Sequence, residues 1–162
     1  MRHWVFDASP LIALGKAGLL ELPVQLGIEG VVPKAVAVEI AAGDDADPAK
    51  VWLHDTPPFL VVPAPVSPIV AAWGLGEGES AAISYALDHP GFEPVLDERA
   101  GRACAQALGV RPRGTLGLLV LAKREGVVAR VRPYIDALRA AGYHLGDDLV
   151  AVVLADVEES EP

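Results

Sequence analysis

At 162 residues the chain is long enough for one domain with a full core and short for two. Its apolar fraction of 52% with only 6% aromatics suits a compact α/β or α domain, and a formal charge of −9 lacks the overall basic footprint of a nucleic-acid binder. Cys104 is the only cysteine, which excludes a disulfide framework and suits a reducing cytosol. The charges are uneven, however: Arg99, Arg102, Arg111, Arg113 and further Lys and Arg out to Arg139 crowd the later part. The acidic excess sits in GDDADP and in the tail ADVEESEP, so a local basic face can survive the negative total.

The opening MRHWVFDASPLIAL predicts a buried strand ending at Val5 and Phe6, then Asp7, then an apolar helical run from Leu11 to Leu14. Asp7, Pro10 and Lys16 interrupt any apolar signal-peptide core. The next stretches predict a helix over Gly15–Leu22 stopped by Pro23, a strand over Ile28–Val32, and a helix from Pro33 to a stop at Gly43. A polar loop precedes a helix from Pro48 to about His54, and Phe59–Val62 reads as a buried strand between prolines. The uncharged run 56–76 carries five prolines, which excludes a membrane span; the expectation is a soluble, cytoplasmic protein.

Beyond a turn or loop at Ser67–Trp73, GLGEGES leads into a helix over Glu79–Leu87. Pro94–Leu96 reads as a strand, and Asp97 follows it as Asp7 follows the first. Helices are predicted over Glu98–Leu108, after Gly114 and Thr115 through Lys123 to Glu125, over about Val128–Ala141 and over about Asp147–Val157, with a brief strand beginning at Val110. One domain over 1–157 and a frayed acidic tail over 158–162 complete the organisation.

Several chemistries are absent from the sequence. There is no GxxxxGK[ST] phosphate loop, GLGEGES is not GxGxxG, and no serine sits in a GxSxG elbow. The four histidines lie far apart without an HxxxH pair, which argues against zinc. What remains is a set of acids at structural junctions: Asp7, Glu39, Glu79 and Asp97. Each has a plain alternative: Asp7 and Asp97 as N-caps, Glu39 as a solvated charge, Glu79 as a first-turn acid favoured by the helix dipole. In an open α/β sheet, however, the carboxyl ends of parallel strands border the ligand crevice, and Asp7 stands at one. Like charges about 4 Å apart repel by roughly 4 kcal/mol at an effective dielectric near 20, so a gathered set must hold protons or bind a cation. Oxygen-only ligands suit Mg²⁺ or Mn²⁺.

The strings VFDASPLIAL, VVPKAVAVEI, LGEGESAAISYAL, PVLDERAGRACAQALGV and RGTLGLLVLAKREGVV, running on to RPYIDALRAAGYHL, resemble the PIN-domain family, in the family's order and over nearly the whole chain. The resemblance is greatest to its small single-domain prokaryotic branch. It implies a three-layer α/β fold with a central, mainly parallel sheet flanked by helices. It also implies a Mg²⁺- or Mn²⁺-dependent ribonuclease, a hydrolase of phosphodiester bonds. Many relatives are toxins of toxin–antitoxin pairs, which implies an RNA substrate, an antitoxin partner and a homodimer. Position by position, the family's acids match Asp7, Glu39, Glu79 and Asp97 as catalytic, metal-holding residues, with Glu77 a rival to Glu79. Ser9 and Thr115 match the small polar residues beside the site. Arg102 matches a basic residue that contacts phosphate or pairs with Asp97. The third acid is Glu where many toxin relatives carry Asp. The alternative reading is an inactive PIN-like module that binds nucleic acid or protein.

Overall fold

The structure, a computed structural model, describes residues 1–55 and 59–159. Four strands form one parallel sheet: β1 (Arg2–Phe6), β2 (Ile28–Pro33), β3 (Leu60–Val62) and β4 (Phe92–Val95), in the order β3-β2-β1-β4. β1 lies inside the sheet, with Val5 opposite Val31 on one side and Phe6 opposite Val95 on the other. Trp4, Val5 and Phe6 are all buried, as expected of a strand covered on both faces. Their alternation divides the core. Trp4 and Phe6 join the larger cluster, whereas Val5 and Val31 join a smaller one with Ile83, Leu96 and Cys104.

Helices α1 (Ala8–Lys16), α2 (Leu22–Gln25), α3 (Lys34–Ala41) and α4 (Pro48–Asp55) connect the strands up to β3, and α5 (Pro68–Ala71) and α6 (Glu77–Asp88) connect β3 to β4. The carboxyl-terminal third is helical: α7 (Arg99–Ala107), α8 (Thr115–Arg124), α9 (Arg132–Ala140) and α10 (Asp147–Asp156). This is the three-layer α/β arrangement expected. The chain moves from β1 to β2 and β3 on one side and later returns to place β4 on the other. The order therefore reverses at β1, and the crevice opens at the carboxyl ends of β1 and β4.

Several local expectations shift. The first helix does not span Gly15–Leu22. It begins at Ala8, directly after Asp7, and ends at Lys16, and Gly18 then adopts φ 74° as the chain reverses. Pro23 lies in the first turn of α2, where its missing N–H costs nothing, and so does not stop a helix. β3 is an edge strand, not a buried one: Leu60 is 73% exposed. α6 begins at Glu77, two residues early, and β4 runs from Phe92 to Val95. Val110 starts no strand; a single parallel bridge joins Val95 to Arg113.

The acidic end is not frayed through Glu159. That carboxylate is buried, accepting hydrogen bonds from Lys123 Nζ at 2.8 Å, the Val131 amide at 2.6 Å and the Arg132 amide at 3.0 Å. It satisfies backbone donors at the start of α9 and ties the chain end to α8. The rest of the expected tail, 160–162, and the Pro57–Pro58 part of the proline-rich run lie outside the described residues. Among the described residues no helix is long and apolar enough to cross a membrane.

Candidate active site

β1 delivers Asp7 to the crevice, where the residue occupies the N-cap position of α1 with extended backbone (φ −77°, ψ 167°). Its side chain makes no capping hydrogen bond, so the N-cap reading does not account for it. Asp7 is only 5% exposed. Burial, reinforced by the charges of Glu79, Glu39 and Glu98, pushes its carboxyl up to about 7, and the neighbouring Ala8 amide offsets only part of this.

Glu39 reaches the same place from α3, which starts immediately after β2, and its side chain is exposed. Between Asp7 and Glu39 lies Gly78, in the first turn of α6. A Cβ there would stand 2.9 Å from Asp7 Oδ1 and 2.9 Å from Glu39 Oε2, so the two oxygens lie within twice that distance of each other. The glycine is needed for close approach, with the carboxylates filling the space a side chain would take. Gly101 of α7 has the same relation to Glu79, whose Oε2 would lie 3.2 Å from a Cβ at that position. Burial, then the charge and hydrogen bond of Glu98, then Glu39, push the Glu79 carboxyl above its ordinary value. The start of α6 lends its positive dipole end to Glu77 and Glu79. Together Asp7, Glu39, Glu77, Glu79 and Glu98 line a cavity of about 420 Å³, with exposed Ser9 at its wall.

Asp97 is placed differently. Its Oδ1 accepts the Thr115 amide at 2.8 Å and its Oδ2 accepts Thr115 Oγ1 at 2.7 Å, so both oxygens are committed to the first residue of α8. It borders two neighbouring cavities and not the one lined by the other acids. Arg102 does not ion-pair with it: Nη1 donates to the Leu96 carbonyl at 2.9 Å, across from Gly114. Tyr143 closes this corner, its phenol pushed upward by burial and by the Asp97 carboxylate beside it, so it remains a protonated donor.

The structure thus gathers Asp7, Glu39 and Glu79 and sets Asp97 apart, turned toward Thr115. Glu98, the neighbour of Asp97, joins the first three, and sequence reasoning missed it. The available signal was the pair of acids after β4, since two successive residues on extended backbone face opposite ways. Tyr143 carried no signal, because nothing local links it to Asp97. Among the described residues no three His, Cys, Asp or Glu side chains already converge on one ion position. The donor set nevertheless fits a hard divalent cation: it is all oxygen, its most buried member resists ionisation, and a glycine keeps two of its carboxylates close.

An all-parallel sheet whose switch point opens onto an acid-lined cavity defines an α/β domain with its candidate site at the carboxyl ends of the strands. The model of the DUF3368 family, a PIN domain, matches residues 3–159, and the chain belongs to the PIN-domain family. PIN domains are generally nucleases and typically bind divalent metals. No curated protein and no solved structure matches the chain.

Proposed function

We propose that this PIN domain is a Mg²⁺- or Mn²⁺-dependent endoribonuclease. The observation that carries the reading is the cost of the acidic cavity: Asp7 is buried, and Glu79, Glu39 and Glu98 add their charges to its burden. Asp7, Glu39 and Glu79 would hold the ion, with Glu98 as the fourth carboxylate at the cavity and exposed Glu77 at its rim. A bound divalent cation supplies neutralisation of charge on a scissile phosphate and a lowered pKa for an attacking water. Ser9 stands where its hydroxyl can orient substrate or water. Thr115 holds Asp97 from below, so that Asp97 fixes the junction of β4, α7 and α8 against which Glu98 is set. The same negative cavity is what Arg or Lys of an antitoxin would neutralise; the toxin role and homodimer rest on the family resemblance, and a cytoplasmic location on the single cysteine.

The alternative is a module that binds nucleic acid or protein without catalysis. Incubation of the purified chain with unstructured RNA and Mn²⁺ separates them. The proposal expects cleavage that EDTA abolishes and that Asp7→Asn lowers by about 100-fold or more. Intact RNA throughout would leave the binding module.

A further inference from the structure

Three neighbouring cavities share lining residues near the carboxyl ends of β1 and β4. The acid-lined one shares Ser9 and Glu98 with a second, of about 380 Å³, bordered by Ile12 and Ala13 of α1 and by Tyr143 and His144. The second shares Asp97, Tyr143 and His144 with a third, of about 420 Å³, which holds Arg102, Arg111 and Arg113. The track therefore passes from carboxylates, through an apolar and aromatic stretch with exposed Lys16 beside it, to guanidinium groups.

We infer that this joined track is the bed of a single-stranded polynucleotide: the phosphate to be cut lies at the carboxylates, a base packs between Ile12 and Tyr143, and a neighbouring phosphate lies at Arg111 and Arg102. The inference rests on the nuclease reading and extends it by assigning the strand its path. Arg113 is not the phosphate contact, because a two-pronged pair with Glu93 at 3.0 and 3.1 Å occupies it, and it lies over the Trp4 ring. Arg111 comes only within 3.9 Å of Glu93, and its side chain is 75% exposed. Arg102 commits one nitrogen to the Leu96 carbonyl and keeps the rest of its fork. Asp97 directs both oxygens at Thr115. A base seated between α1 and Tyr143 must be unstacked, which selects a single strand over a duplex. The chain's strong negative charge outside this track disfavours other routes.

The test is fluorescence anisotropy of a labelled uridine hexanucleotide in Ca²⁺, a hard cation suited to oxygen ligands, over a salt series, with RNA cleavage in Mn²⁺ measured in parallel. Arg111→Ala is expected to weaken binding by roughly five- to tenfold and to reduce the salt slope by about 0.7, the loss of one phosphate contact on a single strand. Lys16→Ala gives a smaller loss of the same kind. Arg130→Ala, which borders none of the three cavities, leaves both quantities unchanged. A wild-type chain that does not bind, or an Arg111→Ala chain within about twofold of wild type at the same slope, overturns the path. Cleavage by wild type alongside that result leaves the nuclease reading standing. Binding that depends on Arg111 with no cleavage by wild type keeps the path and removes the nuclease.

Discussion

Asp7 and Glu159 are both buried carboxylates, held in opposite states by their surroundings. Around Glu159 the Lys123 ammonium and the amides of Val131 and Arg132 outweigh the cost of burial and hold the carboxyl below its ordinary value. Around Asp7 burial dominates, three further acids make it worse, and a single amide works the other way. One carboxylate completes a structural joint between α8, α9 and the chain end. The other stands in a region whose charges are unbalanced without something added. A buried acid that the protein itself does not satisfy is the mark of a site.

The contrast can be broken from either side. Removing the Glu159 carboxylate strips three donors of their acceptor, so Glu159→Ala should cost about 3 kcal/mol in urea unfolding while leaving Mn²⁺ affinity unchanged. Asp7→Asn should do the reverse and abolish ion binding without loss of metal-free stability at neutral pH.

The pH dependence sharpens the same contrast by a few kcal/mol. Asp7 has a folded value near 7, above its unfolded value of 3.8. Its contribution is therefore full below pH 3.8 and is lost as pH rises from there through 7. Glu159 is held below its unfolded value of 4.5, so its contribution is present above that pH and lost as pH falls through the folded value. In metal-free buffer, unfolding measured from pH 5 to 8 should show a decline in stability that Asp7→Asn flattens and Glu159→Gln does not. Saturating Mn²⁺ should remove most of that decline, by binding the native state at the higher pH.

Smaller effects test the cavity's construction. Gly78→Ala places a methyl 2.9 Å from oxygens of both Asp7 and Glu39, and calorimetry should show Mn²⁺ affinity falling roughly tenfold as the two are forced apart. Glu98→Gln should weaken Mn²⁺ about as much. Asp97→Asn should instead cost roughly 1–2 kcal/mol of stability, since its oxygens serve the start of α8. The reverse pattern would exchange the roles assigned to these neighbours.

Much of this was legible in the sequence. The alternation of short apolar runs with helical stretches gave most of the strands and helices, the resemblance to the PIN-domain family implied the layered parallel sheet, and the acids at strand ends pointed to the crevice, because strand ends in such sheets converge. Asp7, Glu39 and Glu79 belong to separate segments, yet each could be singled out by its place after or near a strand or at a helix start. The choice between Asp97 and Glu98 could not be made from spacing, because it depends on which way the backbone turns after β4 and on Thr115 arriving from a distant segment. The burial of Glu159 was hidden for a related reason: in sequence it is one acid in an acidic tail, and its partners lie 27 to 36 residues away. Edge exposure of β3 was hidden too, since apolar residues on an outer strand look like those of an inner one.

The most direct test is a calorimetric titration of Mn²⁺ into wild type and Asp7→Asn near pH 7.5. The account predicts saturable binding by wild type, with proton release, and its loss in the variant. Equal heats from the two proteins, or none from wild type, would contradict it.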